Sequence, residues 1–486
     1  MCEIPDKNRI MKKTWIYLLL MLVIALPACK KILDIERATD TNPTPVTVED
    51  FEQILNNPGI CEAKNYEILE YPTDNKSEGF VPMKEMSPFY TWGVDPWNNG
   101  SPFTRIFSED LIYSRSYKWI GQMNLVIEGM PTALPSGQMN DRRALAIAQA
   151  KINRAYFYLL LVNTYGAAYQ LPSSSTDLGV PLVLKVNNQV SYPRARVEKV
   201  YQQILADLQE ALAISELPNL GRNVIHPGRA AALAVLARTY LYMGNYAQAE
   251  KAASDALAIK SDLQNYLNFG APSAFDGRPL TLYEQGSNPE VLLTRVNYTA
   301  IDAVLPPVFV ASDELLRSFD QNNDKRFITS FSPFNTDSSL LAYRFGVRNT
   351  DLYINYSIGV PEMMLIKAEC LARANDAAGA VNLLNTLCAT RILNYSNLST
   401  NVSADQALNF VLDERRRELM FKGIRLFDLK RLNLDPRFKK DIVRRDANGQ
   451  TLVTLPAGSP NYLIPFSRTT LNANSLLVQN PRVQLN

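Results

Sequence analysis

The densest chemistry in this chain lies near its carboxyl end, in Glu414-Arg415-Arg416-Arg417-Glu418-Leu419-Met420-Phe421-Lys422-Gly423-Ile424-Arg425-Leu426-Phe427-Asp428-Leu429-Lys430-Arg431. Guanidiniums this concentrated either grip a polyanion or pair with carboxylates of the same fold. Here the arginines are interleaved with acids and bulky apolar residues, which disfavours a nucleic-acid patch. Glu414 with Arg417, Glu418 with Lys422, and Arg425 or Arg431 with Asp428 stand three or four apart, where side chains on a helix meet. Beyond Leu419 the segment is apolar nearly all round, so its charges are at least half-buried and need hydrogen-bonded partners. The expectation is a structural ion-pair clamp of Glu414, Arg417, Glu418, Arg425, Asp428 and Arg431.

Other constellations offer less. Asp320, Asn322 and Asp324 imitate the start of a calcium loop, but Lys325 occupies the sharp-turn glycine position and Phe331 that of the closing glutamate. His226 is the single histidine, which excludes multi-histidine metal sites and leaves one imidazole base at most. No phosphate-cradling glycine loop, zinc spacing or nucleophile elbow is present. We therefore expect no metal, no cofactor and no enzyme, although a carboxylate-pair glycoside hydrolase stays open as an alternative. A binding site is more legible. Flat rings stack on the C–H faces of a neutral sugar while amides reach its hydroxyls, and Tyr90, Trp92, Trp97, Asn98 and Asn99 offer that composition. So do Tyr283, Asn297 and Tyr298. Trp97 reads equally well as a core anchor.

These residues need a scaffold. Ser403 and Gln406 form a capping box ahead of Leu408, Leu412, Leu419, Met420, Ile424 and Phe427, a helical face extending toward Leu432. Helices are also expected at Val46–Asn56, Ile106–Met130, Ala144–Gly166, Val197–Leu212, Ser312–Phe319 and Pro361–Arg373. In Leu236-Ala237-x-x-Tyr240-x-x-x-Gly244-x-Tyr246-x-x-Ala249, small residues sit where two helices must touch and a glycine marks the turn. That is the tetratricopeptide (TPR) pattern. Ala368–Leu387 holds a second copy, and Ala144–Leu212 a third interrupted by a loop. Stacked pairs of this kind form a superhelical scaffold with a continuous core. Between them, Tyr66–Thr104 and Ser261–Pro307 are rich in Pro, Gly, Asn and aromatics without a steady period. Loops of that length are usually functional.

Composition narrows the partners. The formal charge of +2 includes four bases and two acids in residues 1–28, so removing them leaves zero. A near-neutral chain fits an uncharged ligand better than a nucleic acid. Lys12-Lys13, the apolar run Trp15–Ala25 and Leu26-Pro27-Ala28-Cys29 read as a signal peptide over 1–28, with Met11 the better start. Cys29 would then be the lipidated first residue, a membrane anchor. Cys61, Cys370 and Cys388 give no disulfide framework. Cys370 and Cys388 are read as buried thiols, with a bridge between them the alternative.

The segment Glu414–Arg431 also resembles the C-terminal signature of the SusD/RagB family of outer-membrane nutrient-binding lipoproteins, roughly Glu-Arg-Arg-x-Glu-Leu-x-Phe-Glu-Gly-x-Arg-x-x-Asp-Leu-x-Arg. Glu414, Arg415, Arg416, Glu418, Leu419, Phe421, Gly423, Arg425, Asp428, Leu429 and Arg431 match, and Lys422 replaces the usual acid. Thr47 with Phe51, Tyr113 with Asn124, the helix ending at Tyr165-Gly166, the turn Asp320-x-x-x-Asp324-x-Arg326 and the tail Leu463–Pro481 follow the family's order. The resemblance implies an all-α, TPR-containing superhelix with long irregular ligand-binding loops and little β. It implies an N-terminal helical region over 29–260 and a C-terminal region over 261–486. It further implies a cell-surface lipoprotein in the outer membrane, binding a glycan or other small nutrient. Such a protein would serve a SusC-like TonB-dependent transporter as partner, with its ligand contacts in loops of the two regions where composition singles out Tyr90, Trp92, Trp97, Asn98, Tyr283 and Tyr298. A TPR-type adaptor for protein segments is the alternative.

Overall fold

Side-chain caps set where many of the helices begin. The Thr47 hydroxyl accepts from the Asp50 amide at 3.3 Å while the Asp50 carboxylate accepts from the Thr47 amide at 2.8 Å, opening α1 (Val48–Leu55). The computed structural model describes residues 45–77, 87–97, 110–135, 142–186, 191–223, 225–268, 288–298, 309–335, 341–345, 353–446 and 448–485. After α1 come α2 (Leu111–Gly129), α3 (Arg142–Tyr165), α4 (Val197–Leu212), α5 (Arg229–Tyr242) and α6 (Tyr246–Ile259). Two short helices, α7 (Asp313–Arg317) and α8 (Lys325–Ser330), precede α9 (Val360–Arg373), α10 (Ala377–Cys388), α11 (Ala404–Glu418), α12 (Arg425–Leu432) and α13 (Arg468–Ala473).

The helices stack in chain order as pairs. α3 lies on α4, α5 on α6, α6 on α9, α9 on α10, and both α9 and α10 on α11. Alanine makes the approach close: Ala230, Ala231, Ala232, Ala234 and Ala237 of α5 and Ala249, Ala252, Ala253 and Ala256 of α6 are all buried. Gly244 turns the chain between them at φ 71°, where a side chain would be strained. Tyr246 spreads its ring under the Arg373 guanidinium, 4.5 Å from the centroid, and so ties this pair to the next. The fold is the all-α, TPR-containing superhelix that the alanine and tyrosine spacing predicts.

Strand content is small and antiparallel. β1 (Val291–Leu293) pairs with β7 (Ile358–Gly359), and β2 (Val296–Tyr298) with β6 (Tyr353–Asn355). β3 (Phe309–Val310) and β4 (Phe331–Asn335) flank β5 (Leu341–Phe345), while β8 (Ile442–Arg445) pairs with β9 (Thr451–Leu455).

One expectation is corrected. The helix opened by Ser403 does not run on to Leu432: α11 stops at Glu418 and α12 starts at Arg425. Phe421 (φ 53°) and Gly423 (φ 71°) break the ladder between them. The Glu70 carboxylate accepts from the Gly423 amide at 2.6 Å, and a Cβ there would meet the Tyr356 ring at 3.2 Å. Packing is continuous across the boundary expected near residue 260. Thr47–Asn486 forms one unit, because α6 packs on α9 and Arg238 of α5 pairs with Glu362 of α9 in the interior.

Candidate functional site

The two irregular stretches flagged for ligand contacts lie side by side. The Ala63 amide donates to the Val296 carbonyl at 2.8 Å, the Ser77 amide to Val310 at 2.8 Å and the Ser312 amide to Asn75 at 2.8 Å. Between these stitches Asn297 is buried and donates to the Glu67 carboxylate at 3.2 Å. Residues 63–77 thus share one backbone-bonded seam with 296–298 and 310–312, and β1 and β7 rest on α5.

The aromatic candidates of the first stretch are not on its surface. Trp92 is 1% exposed and its indole donates to the Pro72 carbonyl at 3.0 Å. Trp97 donates to Pro465 at 2.7 Å and meets Phe89 edge-on at 4.9 Å. Tyr90 is buried with the Arg444 guanidinium 3.9 Å over its ring, and the same guanidinium lies 4.5 Å over Trp92. Tyr90, Trp92 and Trp97 are therefore buried against partners of the same fold, not exposed on a loop surface as their composition suggested. Composition cannot distinguish a ring that stacks on sugar from one that stacks on arginine. Asn98, Asn99 and Tyr283 lie outside the described residues, and of Tyr298 only the place on β2, opposite Tyr353, is described.

Arg444, which the sequence did not single out, organises this region. It donates to the carbonyls of Tyr90 (3.1 Å), Lys76 (3.2 Å), Tyr71 (3.0 Å) and Thr73 (2.9 Å). Asn461 donates to the Trp92 carbonyl at 3.0 Å and Arg482 to that of Gly93 at 2.9 Å. The C-terminal segment thereby holds the flanks of the first irregular stretch. A buried arginine on a strand, alternating with exposed neighbours, is the signal that could have marked it.

The carboxyl-end charges form buried pairs, with partners drawn largely from distant parts of the chain. Arg326 donates to Asp324 (2.7 Å), Glu418 (2.7 Å) and Glu414. Arg391 joins Glu418 (2.8 Å) to Glu290 (2.6 Å), and Arg417 holds the second Glu414 oxygen at 2.8 Å. Asp428 takes Arg415 (2.9 Å) and Arg431 (2.8 Å), and Arg431 continues to Glu369 at 2.7 Å. Arg425 does not pair with Asp428; it forks onto Asp74 with both bonds at 2.8 Å. Burial pushes the Glu414 and Asp428 carboxyls up, but the guanidiniums on each outweigh it and hold both at about 2. Glu70 has no such pair, and burial drives it to about 7. Lys430 is buried with its ammonium on the Asn163 and Gly166 carbonyls at the end of α3, each at 2.6 Å, and burial lowers it to about 7.

The remaining candidates are occupied. Asp324 caps α8 and pairs with Arg326, while Asp320 accepts from the Asn322 and Asn323 amides. Among the described residues no group of three or more His, Cys, Asp or Glu could hold a metal ion. His226 sits in a loop against Asn223, Asn56 and Arg222, and burial with the neighbouring Arg222 lowers it to about 4. Cys61, Cys370 and Cys388 are buried free thiols.

Comparison with known proteins decides the family. A model described as "Starch-binding associating with outer membrane" matches residues 33–241, and the SusD family model matches residues 354–482. The chain belongs to the SusD/RagB family. The SusD-like protein P2 of Formosa agariphila is 25% identical over 402 residues, covering 71% of this chain and 76% of its own. A solved sugar-binding protein of Bacteroides vulgatus, described as putative, superposes with a TM-score of 0.68 at 21% identity, covering 90% of this chain and 99% of that one. A SusD superfamily structure from Bacteroides thetaiotaomicron gives 0.67 at 20% identity, with coverage of 90% and 100%. These structures share the fold. The SusD family match contains α9 to α13 and the whole Glu414–Arg431 segment. The stretch between the two matches, 242–353, carries β1 to β5 together with Tyr283 and Tyr298.

Proposed function

We propose that this SusD/RagB protein binds a glycan at the outer membrane, without covalent change, and delivers it to a SusC-like TonB-dependent transporter. The observation that carries the reading is the seam joining residues 63–77 to 296–298 and 310–312, which gives the two irregular stretches a common hydrogen-bonded base on the helical scaffold. Relatives described as sugar-binding or carbohydrate-binding support the ligand class, and the starch-binding family description supports the location. Asn98, Tyr283 and Tyr298 are the proposed contacts, and Cys29 the proposed lipid anchor. The ion-pair clamp of Glu414, Arg417, Glu418, Arg425, Asp428 and Arg431 is proposed to keep the scaffold rigid and has no part in ligand contact. Preorganised loops lose less entropy on binding than free ones.

The test is calorimetric titration of the mature chain with a panel of neutral oligosaccharides and polysaccharides, beside a panel of peptides. Saturable heat with at least one glycan, and unchanged sugar afterwards, is expected. Peptide capture with no glycan heat would replace this reading by the adaptor. Release of shorter sugars from a labelled oligosaccharide would replace it by a hydrolase.

A further inference from the structure

A half-open cavity of about 310 Å3 lies away from the irregular seam, walled by α10, α11 and the turn Ser318–Asp324. Its volume is at the small end of organic-ligand sites. One side is apolar, made by Leu384 of α10, Ile392 and Leu398 beyond it, and the half-buried ring of Phe410 on α11. The other side is acidic in an uneven way. Asp324 and Glu414 are already neutralised by Arg326, and Arg417 is engaged by Glu414. Asp413 is exposed, and among the described residues nothing donates to it or forms an ion pair with it. The Asp320 carboxylate is bonded only by neutral donors, the amides of Asn322 and Asn323 and the side chain of Asn323. The cavity thus joins a hydrocarbon wall to two carboxylates that have no cationic partner among the described residues.

We infer that this cavity is a binding site for a small organic ammonium ion carrying an apolar body. The body leaves water against Phe410 and Leu398, and the ammonium group faces Asp413 and Asp320. Arg417, Tyr395 and Cys388 complete the lining, with Arg417 held by Glu414 and the Ser318 carbonyl and the Tyr395 hydroxyl donating to Asn385. The site is independent of the glycan reading, since it shares no residue with the seam.

The full chain in detergent is titrated with phenethylamine and with its neutral isostere 2-phenylethanol. The amine should bind about fivefold more tightly at low salt, the size expected of exposed charge pairs, and the margin should shrink toward none at about 1 M salt. Asp413→Asn should remove about half of that margin without changing the alcohol. Leu398→Trp, which fills the cavity from its loop side, should abolish binding of both, with the thermal midpoint followed in parallel. Equal affinity for amine and alcohol, no amine binding, or amine binding that survives both substitutions overturns the proposal.

Discussion

Replacing Glu414 by Gln keeps the shape of the side chain and removes its charge, leaving Arg326 and Arg417 each short of one anionic partner. The effect can be sized from the carboxyl itself. Its ordinary value is 4.5 and the fold holds it at about 2, a difference equivalent to roughly 3 kcal/mol. That agrees with the roughly 3–5 kcal/mol typical when one partner of a buried pair is lost. An unfolding entropy of roughly 2.1 cal/mol/K per residue, applied to Thr47–Asn486, converts this into a midpoint lower by about 3–4 °C at pH 7. The sign with pH follows. A lowered carboxyl contributes stability that is complete above its ordinary value and lost as pH falls toward about 2. The gap between wild type and Glu414→Gln, read by scanning calorimetry, should therefore be widest at pH 7 and close steadily below about pH 4.5. Equal midpoints at pH 7, or a gap that persists undiminished at pH 2.5, would refute the assignment of this charge to the Arg326 cluster.

Glu70 should behave in the opposite sense. Its buried carboxyl is raised to about 7, so its contribution is complete below pH 4.5 and lost as pH rises through about 7; Glu70→Gln should match wild type at about pH 4 and exceed it by roughly 1–3 kcal/mol at about pH 8. Parallel melting curves across that range would remove Glu70 from this role. Arg444→Met should leave four backbone carbonyls without their shared donor, and limited proteolysis under native conditions should cut within residues 71–97 at least about tenfold faster. Trp92→Ala should lower stability by roughly 3–5 kcal/mol, as loss of a buried ring does, while the glycan affinity of the molecules that remain folded is unchanged in titration.

Much of the scaffold was legible in residue spacing. The alanines of α5 and α6 recur where two helices touch, and Ser403 with Gln406 forms the capping box it advertises. The need of Glu414, Glu418 and Asp428 for partners was also legible, because apolar neighbours leave a charge little water. The partners themselves were not. Helical spacing names only residues three or four away, and it found Arg417 for Glu414 and Arg431 for Asp428. Arg391, Glu290, Glu369 and Asp74 reach the cluster from loops and helices that only the tertiary fold brings near. The same limit misplaced Trp92 and Tyr90. A tryptophan among Pro, Gly and Asn has the composition of a sugar platform, but its environment here is set by Arg444, more than 350 positions away. The break at Phe421–Gly423 was hidden for a related reason. Gly423 matched the family signature, but the Glu70 carboxylate that receives its amide was invisible from one end of the chain.

Arg444, Asn461 and Arg482 reach back to residues 71–93 across as many as 389 positions. Contacts so remote form late, because the intervening chain must first be brought together. Tyr90 and Trp92 therefore wait for the Arg444 guanidinium until almost the whole polypeptide has emerged. A molecule cut short before Arg444 would carry α1 to α12 yet leave Tyr90 and Trp92 without the guanidinium that covers them, and would offer proteases an open door that the finished protein keeps shut.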